Sequence, residues 1–363
     1  MTCVPDSLLG RLDGVATPSV LLDEERLDAN IAAMAALVAG RGLLLRPHVK
    51  THKSVEIAAR QVAAGASGIT VATISEAEVF AAAGFAGIFI AYPLWLDRDM
   101  GARLRRVAER VPLLVGVDSA SGAKQLAEAT RGLTDRVSVL VEVDSGHHRS
   151  GVPATAAGSV AAAASGAGLD VAGVFTFPGH SYSREGRRAA AADEVRALAQ
   201  AVEALAGHGI EARIVSGGST PSVEFADASV LTEIRPGVYV FGDAQQWELG
   251  TCGPQDIALT VLSTVVSQAP DRVIADAGSK VLAADRAAYA TGYGRLLDAP
   301  DARVTALSEH HATITGLDCA PGTRVRLVPN HVCVAVNLAD AYVVTRGAEV
   351  AAHWPVDARG CNQ

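Results

Sequence analysis

The chain alternates short apolar runs with alanine-rich amphipathic stretches, and this alternation restricts its possible folds more than any other feature. The runs end in polar residues or glycine, as buried strands do, and the stretches between them have helical spacing. Eight such runs occur, at residues 43–50, 68–74, 87–93, 112–118, 137–144, 171–179, 213–219 and 232–243. Eight βα repeats predict an α/β fold built on a (β/α)8 TIM-type barrel.

A Rossmann-type doubly wound sheet is the competing fold, but it usually has fewer strands, and no GxGxxG motif follows the first run. After about residue 250 the hydrophobic pattern changes. Residues 256–280 and 323–354 alternate apolar and polar residues with the two-residue period of a strand. We therefore predict a barrel domain at 17–250 and a β domain at 251–363 that also includes residues 1–16. Several helical stretches open on a serine, such as Ser75 or Ser121, which we expect to cap the first turn.

Composition excludes several classes of function. A net charge of −8 without a basic patch argues against nucleic-acid binding and favours a small-molecule substrate. No apolar run is long enough for a membrane span, and the first residues lack the pattern of a signal peptide. The five scattered cysteines indicate reduced thiols and a cytoplasmic location.

The functional residues of a barrel come from the C-terminal ends of its strands. Together, the residues at these ends form a strongly polar set. They are more polar than residues that only pack the rim of a barrel would be. Its members are Lys50, Thr73, Tyr92, Asp118, Asp144, Arg149, Gly179, His180, residues 217–220 and residues 235–239.

The sharpest local signal is the stretch RPHVKTHK at residues 46–53, which holds two of the four lysines. If residues 43–50 form one strand, Arg46 and Lys50 share its polar face, toward the barrel. Burial and the like charge of Arg46 would then depress the lysine pKa and give the neutral amine that Schiff-base chemistry needs. Lys53 falls where we expect the first helix to begin and points elsewhere. The alternative is a solvated basic loop.

Two further motifs suggest ligand sites. The glycine-rich turn IVSGGSTPS at 214–222, with Gly237 on the neighbouring eighth run, could wrap a phosphate, although glycine and serine also fill ordinary turns. His331 and Cys333 lie two apart in a stretch that alternates like a strand, so both would leave from one face as metal ligands do. The alternative to a metal site is a buried cysteine beside a histidine whose hydrogen bonds are made within the protein.

Taken together, these motifs resemble the D-threonine aldolase and D-serine dehydratase family, pyridoxal-phosphate enzymes with the alanine-racemase fold (fold type III). The resemblance spans residues 17–345. It is carried by the ordered motifs TPSVLLD, RPHVKTHKS, EVDSGHHRSGV, GHSYS, GGSTPS, EIRPGVYVFGD, DAGSK followed by Asp285, SEHH and PNHVCVAVNL.

The resemblance implies a role for each site residue. Lys50 would form the Schiff base with pyridoxal 5'-phosphate, and His180 would assist as an acid or base. Arg235 would meet the pyridine nitrogen, and His331 with Cys333 would hold Zn²⁺ or another divalent metal. The remaining cofactor contacts would come from Arg149, Tyr182, Gly218, Ser219, Thr220, Gly237 and Tyr239.

The same resemblance implies a homodimer that eliminates water from D-serine or another 3-hydroxy-D-amino acid, giving a 2-oxo acid and ammonia. The HxC pair is typical of the dehydratase branch, whereas the aldolases typically carry HxD. Retro-aldol cleavage to glycine and an aldehyde is therefore the first alternative. Racemisation and cofactor binding without turnover are the others.

Overall fold

The computed structural model describes residue 12 and residues 14–133 and 135–363. The described residues divide into two compact units by their internal packing. The first, which we call the barrel unit, comprises Met34–Lys50, Ile57–Gly237 and Cys361–Gln363. The second, which we call the β unit, comprises the residues up to Ala33, Thr51–Glu56 and Val238–Gly360. The predicted domain boundary at residue 250 stays a prediction.

The strands in chain order are β1 (Ser19–Asp23), β2 (Leu44–Leu45), β3 (Ile69–Val71), β4 (Ile88–Pro93), β5 (Leu113–Val117), β6 (Val137–Glu142), β7 (Asp170–Phe175), β8 (Ile214–Gly217), β9 (Glu233–Ile234), β10 (Leu259–Ala269), β11 (Arg272–Ala275), β12 (Gly294–Leu296), β13 (Arg303–Leu307), β14 (Ala312–Thr315), β15 (Arg324–Pro329), β16 (Ala341–Arg346) and β17 (Glu349–Pro355).

The α-helices in chain order are α1 (Glu24–Gly40), α2 (Val55–Ala63), α3 (Ile74–Ala82), α4 (Arg98–Arg110), α5 (Ala120–Ala129), α6 (Ala157–Gly166), α7 (Arg187–Ala206), α8 (Ala244–Leu249), α9 (Ser279–Leu282) and α10 (Val332–Leu338).

Each of the eight predicted runs contains one strand of the barrel, so the predicted fold class is confirmed. Strands β2 to β9 pair in parallel in the order β2-β9-β8-β7-β6-β5-β4-β3. The centre is filled by inward apolar side chains, among which Phe89 and Phe175 pack edge to face with ring centroids 5.1 Å apart. The serine caps were wrong for α3 and α5, since Thr73 and Ser119 cap these helices instead.

The barrel closes between β2 and its neighbours with very little backbone ladder. Strand β2 pairs with β9 over two residues, and toward β3 a bridge joins His48 to Thr70. Single backbone hydrogen bonds continue the seam, since the Arg46 and His48 N–H groups donate to the Ile234 and Pro236 carbonyls at 3.0 Å. Side chains reinforce it. Arg46 Nε lies 3.0 and 2.9 Å from the Glu233 carboxylate oxygens, and Arg46 Nη1 donates to the Gly87 carbonyl at 2.6 Å.

The prediction of one alternating strand over residues 43–50 is wrong. Only Leu44 and Leu45 join the ladder, and Val49–Thr51 form a 3₁₀ turn. Leu44 is 55% exposed and Arg46 only 7%, although alternation puts them on one face. The Arg46–Glu233 pair explains the difference, because it holds the arginine in the barrel wall.

The β unit is built on a second sheet, in the order β11-β14-β13-β12-β15-β10-β1-β16-β17. Its pairings are antiparallel except for β1 with β16, where Leu21 lies opposite Val343. Residues 19–23, which the predicted limits assign to the barrel, therefore belong to this sheet.

The described helices contain none with the length and apolar character that a bilayer crossing needs. Cys252, Cys333 and Cys361 take no part in a disulfide, whereas Cys319 is disulfide-bonded. The expectation of reduced thiols is therefore right for the first three and wrong for Cys319.

The seam pair gives a stability prediction. Glu233→Ala leaves the buried Arg46 guanidinium without its counterion, and we expect a loss of about 3–5 kcal/mol in the free energy of unfolding. Chemical denaturation measures it, with Glu128→Ala on the exposed face of α5 as the control. Equal stability of the two variants would mean that the pair does not secure the seam.

Candidate active site

Three cationic side chains, those of Lys50, Arg235 and Arg149, lie near His48 in the barrel unit. Lys50 lies in the turn Val49–Thr51 and is half-buried. Burial lowers the pKa of His48 well below its usual value, and the nearby charges of Lys50, Arg235 and Arg149 lower it further. His48 is therefore neutral at physiological pH, and the cluster suits an anionic ligand.

Arg46 and Lys53 do not have the surroundings that the sequence suggested. Arg46 is neutralised by Glu233, so it is not the uncompensated like charge proposed for Lys50. Lys53 precedes α2 by two residues, so the expected helix start is wrong. Its ammonium donates to the Ala358 carbonyl at 3.2 Å within the β unit.

Arg235 is buried where β9 ends. Its guanidinium donates to Ser216 Oγ and, at 2.6 Å, to the Thr176 carbonyl, and it packs 5.3 Å from the Phe175 ring centroid. Burial lowers its pKa to about 10, against the opposing effect of nearby carboxylates. Arg235 thus stays charged at neutral pH, as a fixed cation that its protein partners orient.

The predicted phosphate-binding stretch, residues 214–222, consists of β8 and the turn after it, and we call its residues 217–222 the phosphate loop. Gly218 has φ +78°, and its N–H donates to Glu194 Oε1 at 2.6 Å. Ser219 Oγ bonds Ser181 Oγ at 2.9 Å and Ser222 Oγ at 2.8 Å. Thr220 Oγ1 is different, since it is buried with no hydrogen-bond partner among the described residues. A phosphate oxygen would supply the missing acceptor.

Aromatic and imidazole groups follow β6 and β7. The Arg149 guanidinium lies 5.1 Å from the centroid of the Phe177 ring, and the Tyr182 ring centroid lies 6.2 Å from the same centroid. His180 Nε2 lies 3.3 Å from Asp193 Oδ2, while its Nδ1 is buried without a partner in the described part of the chain. His180 thus has one ring nitrogen oriented by a carboxylate and one available to a ligand.

The two remaining predicted cofactor residues follow Arg235. Gly237 comes directly after Pro236, whose carbonyl accepts from the His48 N–H at 3.0 Å, so it is tied to the segment that carries Lys50. Tyr239 is buried in the short helix Val238–Val240, which belongs to the β unit. Their contacts with a cofactor stay predictions.

His331 and Cys333 are brought together, but not by strand alternation. His331 caps helix α10 and Cys333 lies in its first turn, so the prediction of a strand here is wrong. Burial lowers the pKa of His331, but the Cys333 and Asp243 side chains outweigh it and raise this pKa well above its usual value. Cys333 Sγ also lies 3.3 Å from the hydroxyl of Thr51, the residue after Lys50 in the chain.

Asp243 is the residue of this site that the sequence analysis missed. Its buried carboxylate lies 3.4 Å from His331 Nδ1 and accepts from the Val332 N–H at 3.2 Å and the Gln246 N–H at 2.7 Å. It therefore fixes the first turns of two helices and leaves His331 Nε2 as the ring nitrogen that could bind a metal. The cap before α8 was readable from the sequence, but its approach to His331 was not.

Asp285 lies near this pair. Burial raises its pKa, the charge of His331 opposes that rise, and its Oδ1 is buried with no partner among the residues described. Over the same residues, no group of three or more histidine, cysteine and acidic side chains has the arrangement of a metal site. Two protein donors are compatible only with an open site that water and substrate complete.

Family models match both parts of the chain. The model of the alanine racemase N-terminal domain matches residues 22–245, and that of a putative serine dehydratase domain matches residues 258–345.

Individual relatives match over nearly the whole length. The D-threo-3-hydroxyaspartate dehydratase of Delftia sp. (strain HT23) is 36% identical, over 90% of this chain and 93% of its own. The D-threonine aldolase of Arthrobacter sp. is also 36% identical, over 98% of this chain and 95% of its own. Among solved structures, a cysteine-to-alanine mutant of D-threo-3-hydroxyaspartate dehydratase in the metal-free form superposes with a TM-score of 0.86 at 34% identity, covering 96% of this chain and 98% of that one.

Two buried threonines of the barrel unit, Thr220 and Thr176, give a matched test of the phosphate loop. Thr220→Val removes a hydroxyl without a partner, so we expect the free energy of unfolding without ligand to stay equal or rise by about 1 kcal/mol. Thr176→Val removes a hydroxyl bound to the Val143 carbonyl and Ser145 Oγ, and we expect a loss of about 1–3 kcal/mol. Chemical denaturation compares them, and equal losses would mean that Thr220 has a partner within the protein.

Proposed function

The chain belongs to the D-threonine aldolase and D-serine dehydratase family, pyridoxal-phosphate-dependent lyases of the alanine-racemase fold, and we propose that it dehydrates a 3-hydroxy-D-amino acid such as D-serine. The products would be a 2-oxo acid and ammonia. Cys333 is the observation that carries the choice of dehydration, since it stands beside His331 where the resemblance gives the aldolases an aspartate.

The barrel unit offers the groups that a pyridoxal phosphate requires. Lys50 provides the amine, and the unpartnered Thr220 hydroxyl suits the phosphate. Arg235 suits the pyridine nitrogen, because a buried cation held by Ser216 and Thr176 donates without giving up its proton. When bound, the cofactor supplies an electron sink that makes the α-hydrogen of an amino acid acidic. An arginine partner weakens that sink, so the reaction needs further help at the β-carbon.

The His331–Cys333 pair suits a divalent metal that gives this help. Imidazole and thiolate together favour zinc, and a cation held by two protein ligands has open positions for a substrate oxygen. Asp243 would keep His331 in the tautomer that presents Nε2. Such a cation supplies a Lewis acid to the β-hydroxyl.

The chain's own groups then divide the proton transfers. The Lys50 amine would remove the α-proton, and the hydroxide would leave from the β-carbon as water once it is protonated. His180 is the proposed donor, because Asp193 orients one ring nitrogen and the other is unpartnered in the described structure. Hydrolysis of the resulting enamine releases ammonia and the 2-oxo acid.

Retro-aldol cleavage is the second candidate, and the 36% identity to a D-threonine aldolase favours it as much as the equal identity to the dehydratase favours water loss. In that reaction His180 would instead accept the β-hydroxyl proton while the carbon–carbon bond breaks. The homodimer and the cytoplasmic location belong to the same proposal. The homodimer rests on the family resemblance, and the location rests on the three described cysteines that are not disulfide-bonded.

Lys50→Ala tests the cofactor lysine. We expect the variant to lose the visible absorption band of lysine-bound pyridoxal phosphate, because the amine that binds the aldehyde is gone. Lys124→Ala, on the exposed side of α5, is the matched control and should keep the band. A variant without Lys50 that retains the band would show that another lysine binds the cofactor.

A product assay separates the two reactions. D-serine, D-threo-3-hydroxyaspartate and D-threonine are incubated with the purified protein, with and without a chelator. We expect a 2-oxo acid and ammonia in equal amounts, lost on chelation and restored by zinc, because the metal carries the leaving hydroxyl. Glycine with an aldehyde as the main products would establish the aldolase reaction instead.

Cys333→Ala tests the metal ligand apart from turnover. We expect zinc affinity, measured by competition with a chromophoric chelator, to fall at least about tenfold, because one of two protein ligands is lost. Cys361→Ala removes a thiol of the barrel unit instead and should leave the affinity unchanged. Equal zinc binding by both variants would exclude Cys333 as a ligand.

A further inference from the structure

Glu194 is a buried acid that neither the sequence motifs nor the proposed reaction explains. It lies in the middle of α7 and is only 1% exposed, in a helix whose other acidic residues lie nearer the surface. A carboxyl group at such depth is costly unless its surroundings use it. Its partners are therefore informative.

The partner of Glu194 is the phosphate loop. Oε1 accepts the Gly218 N–H at 2.6 Å. The approach depends on Gly217, because a Cβ there would lie 2.3 Å from Glu194 Oε1. The second oxygen, Oε2, is buried with no hydrogen-bond partner among the described residues. The carboxyl thus holds the first peptide of the loop from beneath, two residues before the unpartnered Thr220 hydroxyl.

Arg235 is the charged side chain that acts on this carboxyl, and its backbone N–H is bound to the Gly217 carbonyl at 2.9 Å. The loop is thereby fixed on both sides, by Glu194 at Gly218 and by Arg235 at Gly217. Arg235 is also the proposed partner of the pyridine nitrogen. The contacts of Glu194 and Arg235 with the Gly217–Gly218 peptide therefore connect the proposed binding positions of the cofactor's ring and of its phosphate.

We propose that Glu194 is a positioning residue for the cofactor phosphate, anchoring the Gly217–Gly218 peptide so that the loop presents Thr220 to the phosphate. This inference rests on the proposed function, since it assumes that pyridoxal phosphate binds. Glu194 acts through the loop and touches neither the substrate nor the reacting atoms. Its removal would free the loop and weaken phosphate recognition without altering the Lys50 amine.

The charge of Glu194 gives the arrangement a pH dependence. Burial raises its pKa to about 7, while the Gly218 hydrogen bond and Arg235 oppose the rise. Below that pH the carboxyl is neutral and still accepts from Gly218. Above it, a carboxylate under the loop repels the phosphate dianion, so phosphate affinity falls as pH rises through this range.

The other segments packed against α7 add no competing free charge. Helix α6 and the turn Ala154–Ala156 carry no charged side chain. The charged residues on the remaining segments are paired: His180 with Asp193, Glu224 with Arg187 and Asp170 with Arg213.

Binding of pyridoxal phosphate and of pyridoxal, which lacks the phosphate, tests the proposal on the full-length protein freed of cofactor. Both compounds react with Lys50. The dissociation constant of pyridoxal divided by that of pyridoxal phosphate is therefore a ratio that reports phosphate recognition alone. At about pH 6, where the carboxyl is neutral, we expect Glu194→Ala to reduce that ratio about tenfold, the effect of losing one ordered hydrogen bond, with pyridoxal binding unchanged. Glu203→Ala, on the exposed side of the same helix, should keep the wild-type ratio.

Glu194→Gln tests the charge and covers the case in which the alanine variant does not fold. The amide oxygen still accepts from Gly218 but cannot ionise. We expect the wild-type ratio at about pH 6, and a higher ratio than the wild type at about pH 8.5, because repulsion of the phosphate is absent. Titration of the phosphate itself affects both proteins equally.

The outcomes are distinguishable. A wild-type ratio in Glu194→Ala, or a single pH profile shared by the wild type and Glu194→Gln, overturns the role of Glu194. A wild-type protein that binds neither compound overturns the proposed function, and the inference with it. A reduced ratio in the alanine variant and a flattened profile in the glutamine variant support the proposal.

Discussion

The buried ion pair between Arg46 and Glu233 reinforces the seam at which the barrel unit closes. Strands β2 and β9 contribute only two residues each to their ladder, and single backbone hydrogen bonds continue the contact as far as His48. The guanidinium and the carboxylate strengthen this short seam, and Ser216 Oγ donates to the same carboxylate at 2.7 Å. Because the chain leaves the seam directly toward His48 and Lys50, this ion pair also helps to set the position of the proposed cofactor lysine.

The same region shows how electrostatics prepares the barrel unit for an anion. Burial lowers the pKa of His48 most, and the charges of Lys50, Arg235 and Arg149 lower it further. Arg235 keeps its charge because nearby carboxylates offset part of its burial. Cations held in place before the ligand arrives need no rearrangement to receive a phosphate or a carboxylate, because folding has already brought them together.

Strand positions could be predicted from the sequence because buried parallel strands need continuous apolar runs, and all eight runs contain their strand. The directions of the side chains could not be predicted from the sequence. Alternation failed at Arg46 because Glu233, far away in sequence, captures the side chain. It failed at His331 and Cys333 because a helix follows the strand, yet the pair still meets over the first helical turn. Glu194 carries no local signal, since only the tertiary fold brings α7 under the turn after β8.

The placement of β1 affects the order in which the chain can fold. In the β unit, Leu21 pairs with Thr260 on one side and with Val343 on the other. A growing chain emerges from the ribosome N-terminus first, so β1 waits exposed while the barrel strands, which pair with near neighbours, are completed. Its buried core positions, Val20 to Leu22, then form an aggregation-prone apolar segment until the last strands are made. Chaperone dependence during synthesis would thus originate in β1.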